Sequence, residues 1–174
     1  KGMDLVPEQI EIVSLYPLRA PVILVLTDQA RALATQHAPE DVWLQDAMRH
    51  VIWSFLLTRT FGPVFATTVT DAQELRPGNT PNERTMDFHN NAIGRRFVSE
   101  NVPLDALPHR VRSDPDVIRH PEEVEHFGER RVVGALFARR GEQQLPGFEA
   151  ADDVVLIGVL DLRDRGEVER NDPG

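Results

Sequence analysis

Four side chains of different chemistry share one face of a predicted helix in the segment QDAMRHVIW, residues 45–53. Their spacing is i, i+3, i+4 and i+7, which aligns Asp46, Arg49, His50 and Trp53. The unperturbed pKa of histidine, about 6.5, suits base catalysis near neutral pH, so His50 is the predicted general base. Asp46 can fix the imidazole tautomer, Arg49 can bind an anionic group, and Trp53 can contact a substrate.

A second polar stripe lies in the segment MDFHNNAIGRRF, residues 86–97. Asp87, Asn90, Asn91 and Gly94 repeat the spacing i, i+3, i+4 and i+7. Asp87 is an alternative partner for the imidazole, and the two amides can orient a water molecule or stabilise an oxyanion. Glycine within a helix costs about 1 kcal/mol relative to alanine, so we expect Gly94 to allow the close approach of a backbone or a ligand.

A third predicted helix carries two carboxylates, Asp71 and Glu74, close to its end. Both are candidates for a general acid or for ligands of a hard cation. Because short connections join the three helices, their polar faces can converge on one site.

Each stripe also has a purely structural interpretation. The pairs that Asp46 makes along its own helix are worth only a few tenths of a kcal/mol and need no function. The adjacent asparagines fit a buried network between helices, and the two carboxylates of the third helix fit a solvated surface. The coincidence of three stripes at matching spacing favours a shared site.

The elements that must position these side chains are predicted to be helices. The ranges are 21–35, 41–60, 63–75, 80–99 and 121–139, after a short helix or irregular segment at 7–20. Thr80, Pro81 and Glu83 form the best local signal, a capping box with proline at the first helical position. The segment VVLIGVL at 154–160 fits a buried strand or a short helix. We therefore expect a mainly α helical bundle with room for one or two short strands in the C-terminal third.

Composition narrows the class of protein. The chain has 174 residues, no cysteine and a net charge of −9, which predicts one helical domain over 1–165, a frayed charged tail at 166–174, and no disulfides or thiolate chemistry. An acidic protein is a poor partner for nucleic acid. The longest purely apolar run, PVILVL at 21–26, is too short to span a membrane. No signal peptide is visible, and the absence of cysteine leaves the compartment open.

The three stripes together resemble an uncharacterised bacterial helical domain with the patterns DAxRHxxW, DAHE and MDxxNNxxGR, over residues 40–98. The resemblance implies an α-helical domain whose matched polar residues share a site, in secreted or toxin-like bacterial contexts. It favours a secreted or periplasmic location over a cytoplasmic one. Gln73 stands where the pattern has histidine, which weakens any metal site that uses that imidazole. The Arg-His pair is also weakly similar to the catalytic helix of secreted phospholipases A2, but Val51 replaces their aspartate.

The function expected from the sequence is a hydrolase acting on a lipid ester or a cell-envelope polymer. The predicted catalytic residues are Asp46, Arg49, His50, Asp87, Asn90 and Asn91. Trp53 and Arg95 are the predicted substrate contacts, and Asp71 and Glu74 are the predicted metal ligands. The alternatives are a non-catalytic binding domain with a structural polar interior, for which a protein is the partner, and a metal-dependent hydrolase using a divalent cation, calcium or zinc.

Overall fold

The computed structural model describes residues 5–75 and 77–127, and the fold is mainly α-helical, as the sequence predicts. The helices are α1 (Pro7–Leu15), α2 (Ala20–His37), α3 (Val42–Phe61), α4 (Pro63–Glu74), α5 (Pro81–Ser99), α6 (Leu107–Ser113) and α7 (Val124–Phe127), with short 3₁₀ turns at Leu104–Ala106 and Pro121–Glu123. No helix in this part of the chain is both long and apolar enough to cross a bilayer. The predicted helical residues 128–139, the strand or helix at 154–160 and the tail at 166–174 lie outside the described residues.

Local capping chemistry sets the ends of the site-bearing helices. The Asp41 side chain accepts a hydrogen bond from the backbone N–H of Leu44 at the start of α3. Gly62, with a φ of 84°, ends α3 and leads directly into α4. The predicted capping box of α5 is confirmed, because Thr80 accepts from the Glu83 N–H and Glu83 accepts from the Thr80 N–H.

Helix α6 is an element that the sequence analysis did not assign. Prolines at 103, 108, 115 and 121 interrupt this part of the sequence, yet Pro108 lies in the first turn of α6. Its missing N–H has no partner to lose at that position, so the proline begins a helix instead of breaking one.

Helix α3 is the central element, and it is covered on opposite sides. The stripe of Met48, Val51, Ile52 and Phe55 is almost completely buried, and so are His50 and Leu57 on the other side. Helices α2, α4, α5 and α6 all pack against it. A polar side chain on either face of α3 must therefore find partners inside the protein.

Gly94 is the point where α5 crosses α3 most closely. A Cβ atom at this position would lie 2.3 Å from the backbone oxygen of Val51 and 3.0 Å from the Cβ of Ser54. No carbon atom fits at 2.3 Å from a carbonyl oxygen, so the glycine is required by the contact between the two backbones.

We predict that Gly94→Ala lowers the free energy of unfolding by roughly 1–3 kcal/mol, because overpacking outweighs the gain in helix propensity. Chemical denaturation measures this loss. Arg84→Ala, at an exposed position of the same helix, should change the stability little. An alanine variant of Gly94 as stable as the wild type would contradict the close crossing.

Candidate functional site

His50 lies at the centre of a buried polar cluster where α3, α4 and α5 meet. Its side chain is 1% exposed. On one side of the ring, Nδ1 is 3.3 Å from Oδ1 of Asn91 and 3.5 Å from Oε1 of Glu74. On the other side, Nε2 is 3.2 Å from Oδ1 of Asp87 and 3.8 Å from Oδ2 of Asp46. The structure therefore brings together one polar residue or more from each of the three predicted stripes.

Arg49 determines which ring nitrogen carries the proton. Its guanidinium contacts Asp46, and its Nη2 lies 2.8 Å from Nε2 of His50. Because a guanidinium only donates hydrogen bonds, Nε2 is assigned as the acceptor. The proton of the neutral ring is then on Nδ1, where it can be donated to Oδ1 of Asn91. Nε2 also lies 3.2 Å from Oδ1 of Asp87 and 3.8 Å from Oδ2 of Asp46.

Burial separates the protonation states of the clustered groups. It lowers the pKa of His50 to about 3, with the charge of Arg49 acting in the same direction. Burial raises the pKa of Asp87 to about 9, helped by the charges of Glu74 and Asp46, and raises the pKa of Glu74 to about 7. Burial also acts to raise the pKa of Asp46, but attraction to His50 and Arg49 outweighs it, so this pKa is lowered. Near neutral pH, the ion-free cluster thus contains a neutral imidazole and a neutral Asp87 beside an ionised Asp46.

A cleft of about 250 Å³ opens next to the cluster. Asp46, Arg49 and Asp87 line it, and His50 lies behind them. The remaining lining comes from α2, from the start of α3 and α5, and from the loop before α5: Arg31, Ala34, Thr35, Val42, Trp43, Gln45, Asn79 and Glu83. The cluster is therefore reached from solvent through the carboxylates and not through the imidazole.

Asp87 is incompletely paired. Its Oδ2 accepts a hydrogen bond of 2.8 Å from Nδ2 of Asn79. Its buried Oδ1, which faces Nε2 of His50, has no hydrogen-bond partner among the described residues. Asp46, His50 and Asp87 each offer one ligand atom, and these atoms all lie within 4.8 Å of one another. Such an arrangement is compatible with a cation.

Asn90, a predicted catalytic residue, makes its hydrogen bonds elsewhere. Its Nδ2 donates to the backbone oxygen of Ile118 at 2.8 Å, and its Oδ1 accepts from the Ile118 N–H at 3.2 Å. The neighbouring His89 lies on a different side of the helix from Asp87 and Asn91, and its Nε2 is 2.6 Å from the backbone oxygen of Asp116. Both side chains attach the segment after α6 to α5.

The predicted substrate contacts, Trp53 and Arg95, do not line this cleft. Trp53 is 6% exposed, and Arg95 donates to the hydroxyls of Ser54 and Thr70 at 3.4 and 3.3 Å. Burial raises the pKa of Asp71, while the charge of Arg95 acts to lower it. The predicted metal pair is thus divided, with Asp71 beside Arg95 and Glu74 beside His50.

Sequence reasoning missed three residues of the site. Trp43 and Ser54 lie seven positions before and four after His50, so the same helical spacing could have found both. The Ser54 hydroxyl donates to the backbone oxygen of Asn91 at 2.7 Å. Asn79 had no such signal, because it follows Gly78, whose φ of 125° sets a loop conformation that no periodicity encodes.

Fold and site together define a mainly α-helical domain with a buried polar cluster beside a cleft. A family model described as a domain of unknown function (DUF6973) matches residues 10–111, and the chain belongs to this family. The match includes every residue of the His50 cluster. No curated protein and no solved structure matches the chain.

We predict that Glu74 makes the ion-free protein less stable as the pH rises. Burial raises the pKa of Glu74 in the folded state from 4.5 to about 7, so the carboxyl group costs no stability below pH 4.5. As the pH rises from 4.5 to about 7, the unfolded chain ionises Glu74 more readily than the folded chain, and the folded state loses stability. Glu74→Gln should therefore gain stability over the wild type across this window, by roughly 1–3 kcal/mol. Denaturation at several pH values in the presence of a chelator measures the difference. Glu122→Gln, at a side chain that is 90% exposed, should follow the wild type, and parallel curves for Glu74→Gln and wild type would contradict the prediction.

We predict that Asn90→Ala destabilises the protein because it leaves the buried N–H and C=O of Ile118 without their partners. Each lost partner costs about 1–3 kcal/mol. Thermal unfolding measures the loss, with Asn82→Ala in the first turn of the same helix as the control. An unchanged melting temperature for Asn90→Ala would mean that the Ile118 contacts contribute nothing.

Proposed function

We propose that this protein is a hydrolase whose active site is the His50 cluster at the cleft. One observation supports the proposal above others: Nε2 of His50 lies 3.2 and 3.8 Å from two carboxylates that line a cleft, while Nδ1 contacts Asn91 on the far side of the ring. An ionised carboxylate beside a histidine whose tautomer is fixed by a partner on its far side is a recurring arrangement in hydrolytic sites.

The positions of the side chains indicate a role for each of them in hydrolysis. Water in the cleft reaches the ionised Asp46 before His50, so Asp46 is placed to accept its proton, and Nε2 of His50 lies 3.8 Å from Oδ2 of this carboxylate. Asn91 and Glu74 hold the ring in place. The guanidinium of Arg49, which is half-buried and lines the cleft, is placed to bind an anionic group or a developing oxyanion. Asn90 has no catalytic role in this proposal.

The lining of the cleft favours a polar substrate. Polar and charged side chains outnumber apolar ones, with Arg31 and Arg49 opposite in sign to Asp46 and Glu83, and Trp43 offers an aromatic surface for a sugar ring. A lipid ester would need a more continuous apolar surface. We therefore favour a cell-envelope polymer over a lipid ester, and we include in the proposal a bacterial origin and a secreted or periplasmic location.

The alternative is a non-catalytic binding domain with a structural polar interior. The deep burial of His50 and the pairing of most polar groups around it favour this alternative. The open cleft and the unpaired oxygen of Asp87 favour the hydrolase. Turnover of a substrate distinguishes the two.

We predict that the purified full chain hydrolyses peptidoglycan or a related polymer and that Asp46→Asn lowers kcat/KM by about 10²-fold. The reason is that asparagine keeps the shape of the side chain but cannot accept the proton. Release of soluble fragments is the measurement, and short-chain and long-chain esters are assayed in parallel.

Asp28→Asn, at an exposed carboxylate of α2, is the matched control and should retain full activity. Hydrolysis of esters alone would change the substrate class. Equal activity in Asp46→Asn and the wild type would contradict the assignment of the site, and the absence of hydrolysis across all of these substrates would favour the binding domain.

A further inference from the structure

We infer that Asp46, His50 and Asp87 bind a divalent transition-metal ion between Nε2 of the imidazole and one oxygen of each carboxylate. The three ligand atoms come from two helices, α3 and α5, and all lie within 4.8 Å of one another. This ligand set differs from the pair Asp71 and Glu74 that the sequence suggested.

The separations of the ligand atoms fit a common ion. Nitrogen and oxygen ligands lie roughly 2.0–2.2 Å from such an ion, so tetrahedral neighbours are about 3.3–3.6 Å apart. Nε2 of His50 is 3.2 Å from Oδ1 of Asp87 and 3.8 Å from Oδ2 of Asp46. Small rotations of the side chains bring both distances into this range.

The unpaired oxygen of Asp87 is an independent observation in favour of a ligand. Asp87 is 3% exposed, and its Oδ1 faces Nε2 of His50 without a hydrogen-bond partner among the described residues. Nε2 is itself an acceptor, because Arg49 donates to it. When Asp87 is ionised, two buried acceptors face each other, and this contact is unfavourable unless a proton or a cation lies between them.

The surroundings also orient the ligands as metal sites require. The far nitrogen of His50 contacts Asn91 and Glu74, and the second oxygen of Asp87 accepts from Asn79. Such outer partners fix the ring and the carboxylate so that their free lone pairs point at the ion.

Arg49 supplies positive charge at this position in the ion-free structure. Its guanidinium contacts both Asp46 and Nε2 of His50, so it competes with the ion for the same atoms. Because the side chain is half-buried and lines the cleft, it can turn into the cleft when the ion binds. Removing this charge should therefore strengthen binding of the metal.

The donor set indicates the class of ion. One imidazole nitrogen with two carboxylate oxygens suits Zn²⁺ or Mn²⁺, whereas Ca²⁺ prefers six to eight oxygen ligands. Three protein ligands leave a coordination position open on the cleft side for water. Catalytic use of the ion rests on the proposed hydrolase function, but binding of the ion does not.

We test the site by titrating chelator-treated full-length protein with Zn²⁺ in a calorimeter. The wild type should bind one ion in the cluster, and Asp46→Asn and Asp87→Asn should each weaken binding by roughly tenfold or more, since loss even of an outer partner costs 10–100-fold. Arg49→Gln should bind more tightly than the wild type. Asp71→Asn, a half-buried carboxylate outside the ligand set, should bind like the wild type.

Circular dichroism checks that each variant is folded, and an anomalous-scattering map of the wild type soaked in Zn²⁺ locates the ion even where a variant fails to fold. A peak between Nε2 of His50 and the two aspartates supports the site. No binding by the wild type, a peak elsewhere, or undiminished binding by both aspartate variants overturns it. Binding without hydrolysis would leave the metal site standing and count against the proposed hydrolase alone.

Discussion

The close contact of α3 and α5 at Gly94 determines where every polar group of the site lies. A methyl group at that position would meet the backbone oxygen of Val51 at 2.3 Å. With the two backbones this near, short side chains suffice to connect them, as when Ser54 donates to the backbone oxygen of Asn91. The same proximity brings Oδ1 of Asn91 within 3.3 Å of His50. A wider crossing would leave the imidazole without its partner.

The resulting cluster concentrates ionisable groups where water is scarce, and desolvation dominates its electrostatics. Burial is the largest influence on the pKa values of His50, Glu74 and Asp87, and it favours the neutral form of each. Asp46 and Arg49, which reach the cleft, remain charged as a pair. The structure thus separates an outer charged pair from an inner neutral group. Burial of the carboxyl groups of Glu74 and Asp87 lowers the stability as the pH rises, whereas burial of His50 lowers it as the pH falls below 6.5, and such costs are often found at functional sites.

Much of this arrangement could be predicted from the sequence because helices have a fixed period. The spacing of Asp46 and His50 on α3, and of Asp87 and Asn91 on α5, identified four members of the cluster, and Gly94 indicated the close crossing. The helical period predicts which residues face inward but not which partners they contact. Asn90 is buried like Asn91, but it binds the backbone of Ile118. The path of a loop determines such partners, and that path depends on tertiary contacts that local spacing does not encode.

The hydrogen bonds of the polar atoms around His50 bear on whether the cluster has a structural or a chemical role. A polar network that only stabilises a core gains most when every buried donor and acceptor is satisfied, because each unsatisfied group costs free energy. On the inner side of His50 this condition is met by Asn91 and Glu74. On the side of the cleft it is not, since Oδ1 of Asp87 lacks a hydrogen-bond partner among the described residues. Within the His50 cluster, the unpaired atom lies on the side where water, substrate or a cation can enter, which is the position that a working site requires and a structural network does not.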